Sequence, residues 1–430
     1  MIGARAVACL LVGLGLPLPV FAGPQAGGTG RSGFSLYSSR ITAGVDTAIV
    51  TEEGRVEDGV FVFVPTAVAF QKPSPRSNLQ FIYEPEIEIY QTRSDLNAIN
   101  HAAAIAYSRE PARRSGLRAG GSFLRTHDRS RQTSGLAVSP RGLYVEGRGY
   151  ASLDHRLGPR TSIRLGAQSW LTRSQAPTFT DFSGELDEWR NSFTVGLGRA
   201  LNEAHELSVA YTRFESSFLN AEELTGEDLD DRGGQDSLSG AYTATLVASG
   251  VRFGGSAGLI RLPRESGDEY TYSLATHFDK AWSSFNFGVS YQRSLSGQLR
   301  FESDTPADVI RDPLLDDGVA QSANVTLGGE IGRRLTLSGQ VSLSRTDVAG
   351  FETPLETFVV TTDVGLVLTD RLIPMINLMY WDQQAPQEVL TYSRTRITAG
   401  LRFFWDAPPS GRRMNYENVR GILPIRPVGQ

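Results

Sequence analysis

The sequence predicts an all-β protein, a transmembrane antiparallel β-barrel of about 18 strands with short periplasmic turns and longer extracellular loops. Three observations predict it. The body is a series of segments, each roughly ten residues long, in which polar and apolar side chains alternate between turn residues. Short and long connections alternate along the chain. The chain opens on a secretory leader, and beyond it no run of about 18 apolar residues would make a membrane helix.

The leader is residues 1–22. Arg5 gives the positive start, Ala6 to Val20 the apolar core, and Val20-Phe21-Ala22 ends it with compact residues, Val20 and Ala22, at the minus-three and minus-one sites of a cleavage site. Residues 23–38 then form a periplasmic N-terminal segment, 39–405 the outer-membrane barrel, and 406–430 a periplasmic tail. Pro408, Pro409, Pro424 and Pro427 in that tail oppose any further strand. Cys9, the single cysteine, lies inside the leader, so the mature chain has no thiol chemistry. The net charge of −5 gives no basic footprint for nucleic acid, and no cofactor motif is present.

The strands are expected near 39–50, 59–71, 78–92, 100–109, 116–126, 142–154, 161–172, 189–200, 206–217, 237–248, 251–262, 269–279, 284–295, 321–332, 335–346, 356–368, 372–382 and 393–405. Alternation is the warrant, because successive strand side chains point to opposite faces. In 78–92, Phe81, Tyr83, Ile87 and Ile89 oppose Glu84, Glu86 and Glu88. In 161–172, Ile163, Leu165 and Ala167 oppose Ser162, Arg164 and Gln168. In 284–295, Phe285, Phe287, Val289 and Tyr291 oppose Asn286, Ser290 and Gln292. In 335–346, Leu335, Leu337, Val341 and Leu343 oppose Thr336, Ser338, Gln340 and Ser342. A propeller would repeat a blade motif, which is missing, and a sandwich leaves the short–long rhythm unexplained.

The last segment, SRTRITAGLRFFWD, sets Arg394, Arg396, Thr398, Gly400 and Arg402 against Ile397, Ala399, Leu401, Phe403 and Trp405. The apolar side suits lipid, and Phe403 and Trp405 suit the aromatic girdle. Thr398, Gly400, Phe403 and Trp405 also resemble the insertion signal of outer-membrane barrels. That resemblance implies the barrel-assembly machinery as a partner. A second stretch, Leu79 to Asn100, resembles a family of β-barrel porins found beside exopolysaccharide gene clusters, through Asp95-Leu96-Asn97 and Asn100-His101. It implies passage of a polysaccharide, with periplasmic export components as possible partners.

Glu84, Glu86, Glu88, Arg118, Arg148, Arg164, Arg252, Arg394, Arg396 and Arg402 share the polar parity of their segments and are expected to line the pore. Arginine and carboxylate rows of this kind can pair into ladders that stiffen the wall; unpaired, the arginines of the last segment would raise the local anion concentration, because the glutamates of the third segment are not their sequential neighbours. Tyr90, Tyr144, Tyr150 and Trp381 fall on the same parity and suit stacking on sugar rings. The acidic residues Glu222 to Asp236 read as a solvated loop, with ion bridging to lipopolysaccharide as the sharper reading. Outer-membrane lipid is the expected surrounding. No histidine pair has metal spacing.

The leading function is a channel for a hydrophilic solute, with an exopolysaccharide first among them. A plugged structural barrel of the cell envelope is the alternative. An enzyme is the weakest reading, carried only by Gly254-Gly255-Ser256-Ala257-Gly258, which lies in a strand pattern and not a strand–turn–helix elbow. This topology predicts that protease added to intact Gram-negative cells cuts within 218–236 or 296–320 and spares the 333–334 turn. Fragments ending only at the short turns would invert the barrel.

Overall fold

A closed sheet leaves no strand edge, which is the only way a β-structure can satisfy its backbone in lipid. The computed structural model has that closure. It describes residues 33–51, 54–127, 143–175, 188–218, 232–263, 268–282, 284–295, 319–332, 334–347, 354–369, 371–384 and 391–405. Eighteen antiparallel strands each pair with their sequence neighbours, and β1 pairs with β18 to close the ring.

The strands run β1 Gly33–Thr51, β2 Gly54–Ser74, β3 Ser77–Tyr90, β4 Ala98–Ala112, β5 Ser115–Thr126, β6 Leu143–Arg156, β7 Thr161–Gln175, β8 Glu188–Ala200 and β9 His205–Phe218. They continue as β10 Arg232–Leu246, β11 Val251–Leu262, β12 Glu269–Ala281, β13 Phe285–Leu295, β14 Val319–Ile331, β15 Leu335–Asp347, β16 Leu355–Leu366, β17 Leu372–Gln384 and β18 Tyr392–Phe404. Each expected segment is a strand. The leader, the C-terminal tail and the loop residues 222–231 lie outside the described residues.

Two expectations need correction at the first hairpin. β1 begins at Gly33, so residues 33–38 belong to the sheet and not to a periplasmic segment. A bulge between Leu36 and Ser38 breaks the alternation there, which is why the sequence pattern hides the start. The 52–53 connection is short although it lies at the end with the long connections. Here the strands themselves are long, at 19 and 21 residues.

The two faces separate as the alternation requires. Phe193, Val195 and Leu197 are 55%, 50% and 53% exposed, whereas Glu88 and Thr398 are at 0% and 1%. Large apolar side chains therefore cover the outside and polar ones the inside. That is a wall built for hydrocarbon around a polar lumen, and the chain is an outer-membrane β-barrel.

The start of β1, the end of β18 and, apart from 52–53, the connections of two to five residues share one end. Gly250 closes the 247–250 turn in the left-handed region at φ +63°, which a side chain would oppose. At that end Phe403 and Trp405 meet edge to face at 5.3 Å. The Trp405 Nε1–H donates to Ser39 Oγ at 2.9 Å, tying the aromatic girdle across the seam. Replacing both Phe403 and Trp405 with Ser is expected to abolish most of the heat-modifiable folded band on gels. Deleting 407–430 is expected to leave it. Folding of the double variant with failure of the truncation would contradict this placement.

Candidate functional site: the charged inner wall

Sequence order separates the glutamates of β3 from the arginines of β18, but barrel closure brings them together. The local order of strands is β17, β18, β1, β2, β3 and β4. Even-numbered positions of β18, β1 and β3 point inward, where Asp46, Glu84, Glu86, Glu88, Arg40, Arg394 and Arg396 are all buried. Arg394 holds Asp46 with two parallel bonds, Nε to Oδ1 at 2.7 Å and Nη2 to Oδ2 at 2.6 Å. Arg396 lies 3.4 Å from Asp46 and donates to Glu88 Oε1 at 3.0 Å. Arg40 donates to Glu86 Oε2 at 2.9 Å and lies 3.5 Å from Glu84.

These arms cross intervening strands. Arg40 on β1 reaches β3 over the whole width of β2, about 10 Å by strand spacing. The inner face of β2 makes this possible. From 60 to 69 it carries only Val60, Val62, Val64, Ala67 and Ala69, all at 2% exposure or less. The face shifts parity at a bulge between Phe63 and Val68, where Pro65 has no N–H to lend to the ladder. Small apolar residues thus form a floor over which guanidinium groups extend, packing their stems on it. Glycines leave room at the seam itself. A Cβ on Gly44 or Gly400 would collide with the backbone of the opposite strand.

The residues of the Asp95–His101 stretch belong to this wall. The connection after β3 turns inward through a short 3-10 turn, Ser94–Leu96. Leu96 joins a buried cluster with Val60, Val62 and Tyr90. Asn97 Oδ1 accepts the Tyr90 N–H at 2.8 Å, and Asp95 pairs with Arg93 at 2.8 Å. Asn100 donates to Glu86 at 3.4 Å and accepts the His127 N–H at 3.1 Å. His101 points outward and stacks on Tyr83. Asp58 completes the fastening by accepting backbone N–H groups of Gly59, Thr92 and Arg93 at 2.7 to 3.0 Å.

The expectation of an anion-attracting row on β18 is therefore corrected. Arg394 and Arg396 are neutralised by Asp46 and Glu88, and the sequence reading lacked Asp46 and Arg40. Their signal was present, since Arg40, Thr42 and Asp46 alternate with Ile41, Ala43 and Val45. The sugar-stacking aromatics also divide. Tyr90, Tyr144 and Trp381 are buried at 3%, 0% and 4%, leaving Tyr150 of the expected four accessible.

The neighbouring sector of the lumen differs. On β5 to β8 the inward parity holds the arginines Arg118, Arg148, Arg156, Arg164 and Arg190 and the carboxylates Glu146 and Asp154, with Glu188 on the same parity of the register. Arg148 pairs with Glu146 and sits 4.0 Å from the centre of the Trp170 ring. Arg190 approaches the same ring at 5.2 Å. Arg164 pairs with Asp154 at 2.6 Å while staying 45% exposed, and Arg118 is exposed to the lumen. Arg252 stands opposite Asp279 in the β11–β12 register, and Arg402 opposite Arg40 across the seam. A third sector, β14 to β17, presents neutral groups such as Asn324, Gln340, Thr361 and Asn377, with Asp363 among them.

Thr398 is buried inward, and its hydroxyl lies 3.4 Å from Asn377 Oδ1. Gly400 faces Thr42 across the seam. Gly254 to Gly258 lie within β11, so the turn a nucleophilic serine needs is missing around Ser256. Asp236 is not in a loop; it lies on β10 and pairs with Arg213 at 3.2 Å.

No family model and no curated protein sequence matches the chain. Among solved structures, the barrel is similar to OccK2 (OpdF) of Pseudomonas aeruginosa, with 10% identity and a TM-score of 0.44 over 86% of this chain and 98% of that one. A BenF-like porin from Pseudomonas fluorescens Pf-5 gives 10% identity and a TM-score of 0.42 over 86% and 98%. OpdQ of Pseudomonas aeruginosa gives 11% and 0.41 over 87% and 98%. No residue-level correspondence follows at these values.

The fastening of the third connection is directly testable. Asp58→Ala leaves three backbone donors without their acceptor, each worth about 1 kcal/mol or more when buried. The variant is expected to fold but to be cut by external trypsin at Arg93. Resistance equal to the parent would show that Asp58 does not hold the turn.

Proposed function

We propose that the barrel is an outer-membrane channel for small hydrophilic solutes with a preference for anions. The observation that carries this reading is the arginine sector of β5 to β8. Five arginines share the inward parity there with three carboxylates, while the β18–β3 sector spends its charge on itself. In a water-filled lumen the excess positive charge raises the local anion concentration. Barrels of about 16 to 18 strands are wide enough for such a path. The amides and hydroxyls of β14 to β17, with the Asp363 carboxylate among them, offer a solute hydrogen bonds.

Passage of an exopolysaccharide is the finer reading that the Leu79–Asn100 resemblance implies. Tyr150 on the arginine sector favours it by offering a partly exposed ring to a pyranose. The residues that carry the resemblance serve the wall, however, so small anionic solutes are the better match to the geometry.

Purified barrel in a planar bilayer is expected to conduct and, under a salt gradient, to show a reversal potential favouring chloride. Arg118→Gln with Arg190→Gln should move that potential toward cation preference without loss of conductance. A folded barrel that never conducts would support the plugged structural alternative. An unchanged potential in the double variant would remove the arginine sector from the path.

A further inference from the structure

The outside of the barrel carries charge at one end, where its wall meets the outer leaflet. Arg213, Asp236 and Arg261 form one register row across β9, β10 and β11. Arg293, Gln321, Arg345, Glu356 and Gln384 form another across β13 to β17. All share the outward parity of Tyr211, Leu238, Leu259, Val289 and Leu343, which are 38% to 58% exposed. At the turn end the corresponding places hold mainly Trp282, Ile331, Leu368, Phe403 and Trp405. A lipid-facing wall tolerates charge only near the headgroups, so these rows mark headgroup depth.

Between β13 and β17 the charged row borders a groove of about 320 Å³. Tyr291, Ala323, Leu343 and Phe358 give it an apolar floor, and Arg345, Glu356, Asp382 and Gln384 line its polar side. Arg345 is 52% exposed at its side chain and makes pairs with Asp347 at 3.1 Å and Glu356 at 3.5 Å. Those pairs engage two of its five N–H donors. Arg293 lies on the same row two strands away, with its guanidinium 3.6 Å from the centre of the Tyr272 ring.

We propose that this groove holds a phosphorylated glycolipid of the outer leaflet. Its acyl chains lie along Leu343 and Phe358, its phosphate meets Arg345, and its sugar hydroxyls donate to Glu356 and Asp382. The mixture of signs selects this occupant. A bare phosphodiester headgroup would be repelled by Glu356 and Asp382, whereas a sugar headgroup carries hydroxyl donors for carboxylates and phosphate acceptors for arginine. The proposal rests on the outer-membrane placement and not on conduction, so a channel measurement and a lipid measurement fail separately.

The test is native mass spectrometry of the full barrel titrated with lipid A, a diphosphorylated acyl-glucosamine disaccharide, and in parallel with phosphatidylglycerol and inorganic phosphate. The parent is expected to retain lipid A over both competitors. Arg345→Gln and Phe358→Ala should each weaken retention about ten-fold, equivalent to one decade in Kd. Equal retention of phosphatidylglycerol, displacement by inorganic phosphate alone, or parent-like binding by both variants would overturn the proposal. Only the heat-modifiable folded form is scored. Gln384→Ala removes no ion pair, and with it a loss of about three-fold keeps the test decisive if Arg345→Gln does not fold.

Discussion

Three buried arginines and four buried carboxylates sit where the sheet meets itself, and the rest of the barrel depends on their pairing. Arg40, Arg394 and Arg396 face Asp46, Glu84, Glu86 and Glu88. A buried ion left without a partner costs several kcal/mol. Arg394 and Arg396 meet Asp46 and Glu88 only when β18 has docked beside β1, so closing the ring satisfies those charges, whereas Arg40 meets Glu84 and Glu86 within β1 to β3. The valine floor of β2 follows from the same need, because bulkier residues there would block the arms of Arg40 and Arg396. The inward turn at Leu96 then covers the end of that floor.

Neutralising one wall assigns electrostatic work to another. The β18–β3 sector binds its own charges and stiffens the seam, and the β5–β8 sector keeps exposed guanidinium groups toward the lumen. Outside, the same separation of tasks recurs along the barrel axis. Aromatic and aliphatic residues fill the turn end, and paired charges with tyrosines fill the other. Each face thus has a chemistry matched to its neighbour: lipid chains, headgroups, or a solute in water.

Much of the fold was legible in the sequence because strand alternation is a local signal. Glu84, Glu86 and Glu88 opposite Ile87 and Ile89 can face only inward, whatever the register. What stayed illegible was contact between distant strands. Nothing in the spacing of residues 46 and 394 says that they meet, since the distance is closed by sixteen intervening strands. Bulges hid local features as well. The shift at Leu36 masked the start of β1, and the shift at Pro65 moved the inner parity of β2 from Val64 to Ala67. The Asp-Leu-Asn stretch was visible as a motif, but its role in capping a wall needed the fold of the connection.

The most direct test of the seam is a double-mutant cycle on Asp46 and Arg394, read from reversible urea unfolding of the barrel in lipid vesicles. Asp46→Asn and Arg394→Gln should each destabilise by about 3 to 5 kcal/mol, because each strands a buried charge. The double variant should cost clearly less than the sum, with a coupling of about 1 to 3 kcal/mol. Additive single effects would show that the two side chains do not depend on one another and that the seam closes without them.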